Sequence, residues 1–199
     1  SPAVRREGVL QVHHSYLVTQ DSDGILIVDQ HALHERVMFE RLKQRISQGD
    51  LESQRLLMPT TIPADEARLR SLEKLGPLLK RIGVEAEPIG PRSIAVHAFA
   101  SFLFDRHVEP GEFMEELLDR EDAEGLTDSG TSDEAALHEV LDMMACKAAV
   151  KAGDQLSGEE LDELIKQRDQ VERSSNCPHG RPTTIRMTLS ELAKQFKRT

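Results

Sequence analysis

At 199 residues, with 38% hydrophobic content, 4% aromatics and no tryptophan, the chain can bury one substantial core or two small ones, built mainly from aliphatic side chains. No run approaches the roughly 20 apolar residues that cross a bilayer, and Ser1-Pro2-Ala3-Val4-Arg5-Arg6 lacks the apolar segment of a secretory signal, so membrane-spanning and secreted classes are excluded and a fragment of an intracellular protein is expected. The net charge of −10 excludes strong non-specific nucleic-acid binding, which rests on Lys and Arg.

The charge is unevenly spread. Between Glu109 and Asp142 there are 13 acidic residues against one arginine, whereas Gly180–Thr199 carries Arg181, Arg186, Lys194, Lys197 and Arg198 against Glu191 alone. A site assembled from the two chain ends would therefore be neutral to mildly basic. Its intrinsic affinity for DNA should be weak.

Gly8–Val18 is β-rich, Gln20–Gly24 is a turn, and Ile25–Val28 is an apolar run ending in Asp29. This pattern predicts a hairpin feeding a helix over about Gln30–Ile46, ended by Gly49-Asp50, with Asp29 at the N-cap. A short strand follows within Arg55–Ile62. Ala64–Ile82 has helical periodicity, with a break or kink expected at Gly76-Pro77. Val84–Ile89 and Ser93–Phe99 read as strands, and Pro110-Gly111 opens an acidic helix running to about Arg120. Glu121–Ser132, polar and glycine-containing, reads as a disordered loop. Asp133–Lys151 is a helix with Leu137, Val140, Leu141, Met144 and Ala148 on one side. Ser157 and Glu160 predict a capping box for a second helix with Leu161, Leu164 and Ile165 inward. Thr183–Thr188 is a strand and Leu189–Lys197 a terminal helix.

The chemistry concentrates at the start of the first helix. His31 and Glu35 are four residues apart on one helical face, and the two cysteines, Cys146 and Cys177, have companions, the second in Cys177-Pro178-His179-Gly180-Arg181-Pro182. Imidazole, carboxylate and thiolate are the ligand set of zinc, and His31, Glu35, Cys146, Cys177 and His179 supply up to five donors. Taken singly, His31/Glu35 reads as a helix-stabilising pair and Cys146 as a small core residue. Glu40 lies about 140° around the helix from Glu35 and serves the fold or the surroundings of the site rather than the same ion. Arg181 either steadies the Cys-x-His loop or reaches a phosphate. His13, His14, His34, His97, His107 and His138 read as structural or surface residues. His34-Glu35 is not followed by the spacing of a zinc protease.

Asp29-Gln30-His31-Ala32, two residues, Glu35, four residues, Glu40 resembles the endonuclease motif of the MutL mismatch-repair family, and the chain is similar to the C-terminal domain of such proteins. Ala145–Lys151, Cys177–Pro182 and Phe196-Lys197-Arg198 match in the same order. The resemblance implies an α/β (α+β) fold of two subdomains. A dimerisation and endonuclease subdomain would come from residues 1–48 and 153–199, with an inserted regulatory subdomain at 49–152. It implies a homodimer that nicks one strand of duplex DNA, with Asp29 as base or metal ligand beside Glu35. Zinc would be bound, with manganese or magnesium for nicking. Arg198 stands with Glu40 and Arg181 as a DNA contact or a support of the site.

Further partners follow from the resemblance. ATP and a mismatch-recognition protein would act through a family N-terminal domain, and the location would be the bacterial cytoplasm at the nucleoid. Gln54-Arg55-Leu56-Leu57-Met58-Pro59 resembles the short motif by which bacterial repair proteins engage the sliding clamp, with Gln54, Leu56, Leu57 and Pro59 as contacts. The competing reading is a core strand, which requires buried leucines. The alternative for the whole chain is a non-catalytic, zinc-stabilised dimerisation and clamp-interaction module.

Overall fold

The computed structural model describes residues 9–128, 130–149, 158–170 and 182–198. In chain order the elements are β1 (Leu10–Val12), β2 (Tyr16–Asp21), β3 (Gly24–Asp29), α1 (Gln30–Ile46), β4 (Ser53–Pro63), α2 (Glu66–Arg81), β5 (Glu85–Pro88), β6 (Ser93–Ala100), α3 (Ser101–Phe104), α4 (Pro110–Glu124), α5 (Asp133–Ala148), α6 (Gly158–Gln170), β7 (Thr184–Thr188) and α7 (Leu189–Gln195). This is a mixed α/β chain with antiparallel sheets. It forms two compact units, one from residues 1–40 and 149–199 and one from residues 41–148. The sequence alone sets these divisions at 48/49 and 152/153.

In the first unit, β1, β2, β3 and β7 form an antiparallel sheet in that order. The period of two along each strand sorts its side chains. Leu17, Thr19, Leu26 and Val28 share one face and are buried, as are Leu33 and Val37 of α1. Leu10, Val18, Ile27 and Ile185 form one row across all four strands on the other face, flanked by Val12 and Tyr16 on one side and Ile25 and Met187 on the other. All eight are half-buried or exposed. At Gly24 a β-carbon would meet the Met187 carbonyl oxygen at 2.1 Å, so only glycine lets β7 lie alongside.

The continuous β-rich stretch expected over Gly8–Val18 is in fact two strands folded back at His13–Ser15. Both histidines adopt φ of 51°, a region that histidine enters more often than most residues, though the pair does not mark a turn as glycine would. β7 leads into α7 through a capping box: the Glu191 amide donates to Thr188 Oγ1, and the Thr188 amide donates to Glu191 Oε2 at 2.7 Å. That backbone amide, followed by the Thr188 hydroxyl, holds the Glu191 carboxyl below its usual range. In α6, Leu161, Leu164 and Ile165 are buried as the pattern predicts. Ser157, the expected cap, lies outside the described residues.

The second unit is built on the sheet β4-β6-β5. Phe99 of β6 meets Phe113 of α4 edge to face at 5.4 Å, and a β-carbon on Gly111 would press on Thr60 and Ile62 of β4, so α4 starts in close contact with the sheet. Arg68 joins α2 to α4 through a two-pronged pair with Asp119 (2.8 and 2.9 Å). α2 is not broken at Gly76-Pro77. Leu72, Leu75, Leu78 and Leu79 are buried on either side of that dipeptide and carry the helix through it, while Gly76 and Pro77 face outward.

The short helix α3 is absent from the sequence reading. The loop expected over Glu121–Ser132 is also corrected. α4 continues to Glu124, and buried Glu121 accepts the Thr127 amide and hydroxyl, each at 2.9 Å. Lys74 pairs with Asp128 at 2.8 Å. Polar composition marks a loop, but these carboxylates fasten it.

Candidate functional site

The site is built at the junction of β3 and α1. Asp29 ends the strand, its amide donates to the Thr183 carbonyl at 2.8 Å, and its Oδ1 accepts the Ala32 amide at 3.0 Å, capping the helix as the sequence predicts. The next residue is held as firmly. The Gln30 amide donates to the Ser15 carbonyl at 2.9 Å, and Gln30 Oε1, on a side chain that is 1% exposed, accepts from Gln11 Nε2 at 2.6 Å. The motif is thus anchored to the β1–β2 turn on one side and to the residue preceding β7 on the other. Gln11 and Ser15 escape sequence reasoning. The only trace they leave is the interruption of a β-rich run by His13-His14.

His31 is half-buried and Glu35 is 4% exposed, one turn apart on the same face of α1. An imidazole with a carboxylate is a donor pair that suits zinc. Glu40 pairs with Arg36, whose guanidinium lies 5.6 Å from the Phe39 ring, so Glu40 ties two turns of α1 together. Cys146, in the last turns of α5, is exposed and belongs to the second unit. Cys177, His179 and Arg181 lie outside the described residues. Among the described residues no three His, Cys, Asp or Glu side chains are grouped to hold a metal ion, so any centre would need donors beyond His31 and Glu35. Arg198 lies 5.8 Å from the Phe196 ring, and both are exposed.

In the segment Gln54–Pro59, the ladder between β4 and β6 shifts register between Arg55 and Thr60. Leu57 is fully exposed and Met58 is 80% exposed, Gln54 and Pro59 are exposed, and Leu56 is half-buried. A core strand would bury these leucines. The observed bulge presents Leu57 and Met58 outward. No described helix is long and apolar enough to cross a membrane.

Residues 9–156 match the family described as MutL C terminal dimerisation domain. Proteins named DNA mismatch repair protein MutL are similar along most of the chain. That of Nitrobacter hamburgensis is 35% identical over 190 residues, that of Rhodopseudomonas palustris strain TIE-1 is 36% identical over 188, and that of Phenylobacterium zucineum is 34% identical over 190. Each alignment covers 94% of this chain but only 30%, 31% and 29% of the respective relative. The chain therefore spans under a third of the length of these curated relatives. With its two-unit α/β architecture and its Asp29–Glu40 motif at a strand–helix junction, the chain belongs to the family of MutL C-terminal dimerisation domains.

Proposed function

We propose that this chain is a metal-dependent endonuclease that nicks one strand of duplex DNA in mismatch repair and acts as a homodimer. The observation that carries the nuclease reading is the placing of Asp29, His31 and Glu35 on the cap and first turns of one helix, in a chain of this family. Zinc would be held by His31, Glu35, Cys146, Cys177 and His179, and manganese or magnesium by carboxylates together with the phosphate. A divalent ion, when bound, acidifies water and offsets charge on the phosphate.

The chain's own residues do the rest. The Asp29 carboxylate uses one acceptor position for the Ala32 amide, and its remaining lone pairs can take a proton from the attacking water. The Ala32 amide holds the carboxylate, and the Thr183 and Ser15 carbonyls, taking the Asp29 and Gln30 amides, fix the backbone that carries it.

The homodimer reading is supported by the open sheet face of Leu10, Val18, Ile27 and Ile185, since contiguous exposed apolar surface of this kind marks association sites. The exposed Leu57 and Met58 support a docking peptide for the sliding clamp. Supercoiled plasmid incubated with the protein and manganese should convert to open circles, more so with the clamp, and Asp29→Asn should abolish conversion. A protein that dimerises and binds zinc yet never nicks would be the non-catalytic module instead.

A further inference from the structure

The β1–β2 turn carries two histidines that the nuclease reading leaves without a role. The turn closes through the Ser15 amide on the Val12 carbonyl at 3.1 Å, and His13 and His14 both sit in the left-handed region at φ of 51°. Asparagine and glycine are the ordinary occupants of two successive positive-φ positions, because a β-carbon is strained there. Histidine enters this region more often than most residues, but two in succession, with no glycine, are an uncommon choice for the turn itself. Strain of this kind is a pointer to function when the location agrees.

The location does agree. The Ser15 carbonyl takes the first amide of α1, and Tyr16 stands opposite Asp29 in the ladder. Gln11 bridges the two parts, with Nε2 donating to Gln30 and Oε1 accepting from His14 Nδ1 at 3.4 Å. Both imidazoles are exposed and stand at the Asp29 end of the sheet, whereas the acidic β2–β3 turn, Asp21 to Gly24, lies at the opposite end. In a chain of net charge −10, this puts two imidazoles, whose ring N–H groups can donate to a phosphate oxygen, at the same end of the sheet as the proposed catalytic carboxylate.

We propose that His13 and His14 contact the DNA backbone beside the phosphodiester on which Asp29 acts, as substrate-positioning residues. This rests on the nuclease reading. The double variant His13→Asn/His14→Gly tests it cleanly, because it installs the residues this turn prefers while removing both imidazoles. Two readouts are taken on the full chain: affinity for a fluorescent duplex oligonucleotide at low salt without metal, and steady-state plasmid nicking with manganese.

The variant should melt at or above the wild-type temperature, bind duplex about fivefold more weakly, and show a KM raised by a similar factor with kcat little changed. Equal duplex affinity in the two folded proteins, or wild-type binding too weak to measure, would overturn the proposal. Wild-type protein that binds duplex through these histidines but never nicks would sink the nuclease reading and leave the contact standing. If the double variant fails to fold, His13→Gln and His14→Gln decide by the same affinity measurement.

Discussion

Asp29 has a structural role as a cap and a proposed catalytic one, and substitution can separate them. As a cap it accepts the Ala32 amide, and asparagine caps a helix as well as aspartate does, whereas alanine loses about 1 kcal/mol. Asp29→Asn should therefore melt like the wild type and lose nicking, while Asp29→Ala should lose both nicking and stability. Thermal melts alongside the plasmid assay check this, and an active Asn variant would mean the carboxylate is neither base nor ligand. At the other end of the sheet, Arg186 donates to both oxygens of Asp21 (2.9 and 2.6 Å) and, with the Asp23 amide, holds that carboxyl below its ordinary 3.8. A carboxyl whose folded value is depressed stabilises the fold above its unfolded value, and the gain is lost as pH falls through the folded one. Urea midpoints of wild type and Arg186→Gln should differ at about pH 6 and converge by about pH 2. A gap unchanged across that range would show that the pair has no bearing on stability.

Elements were legible where apolar periodicity and caps agreed, and misread where a single dipeptide overrode the pattern. α1 and its Asp29 cap follow from an aliphatic run ending in aspartate, and α5 from Leu137, Val140, Leu141 and Met144, all buried. α2 was harder. Gly76-Pro77 is a strong breaker locally, but tertiary burial of Leu72, Leu75, Leu78 and Leu79 outweighs a preference worth only a few kcal/mol. The candidate site was legible in its α1 part through residue type and spacing. Its anchors were not, because Gln11 and Ser15 act through an amide and a carbonyl that no motif encodes. The same reasoning makes α2 improvable. Beyond its chain neighbours a β-carbon at Gly76 would meet nothing within 4 Å, so Gly76→Ala should stabilise the protein by about 0.5–1 kcal/mol, less what the Pro77 ring costs a side chain placed before it, read as a raised melting temperature. A lowered one would mean that Gly76 relieves strain imposed by Pro77.

The molecule as a whole joins an acidic chain to an open apolar sheet, and the two features bear on one question, how the proposed nuclease would be held on DNA. At a net charge of −10 a single copy would make few phosphate contacts, and pairing two copies would double them without new contacts within either. The face that would pair consists of aliphatic side chains in register across four strands, ending at Ile185 on the edge strand β7, which is 60% exposed. A charge at that position would be buried unpaired on association, yet would meet solvent in a lone copy. Ile185→Glu should therefore give a monomer by sedimentation where the wild type gives a dimer. Because association stabilises the folded state by mass action, the wild-type melting temperature should rise with protein concentration and that of Ile185→Glu should not. A variant that sediments as a dimer, with the same concentration dependence as the wild type, would place the dimer contact elsewhere on the chain.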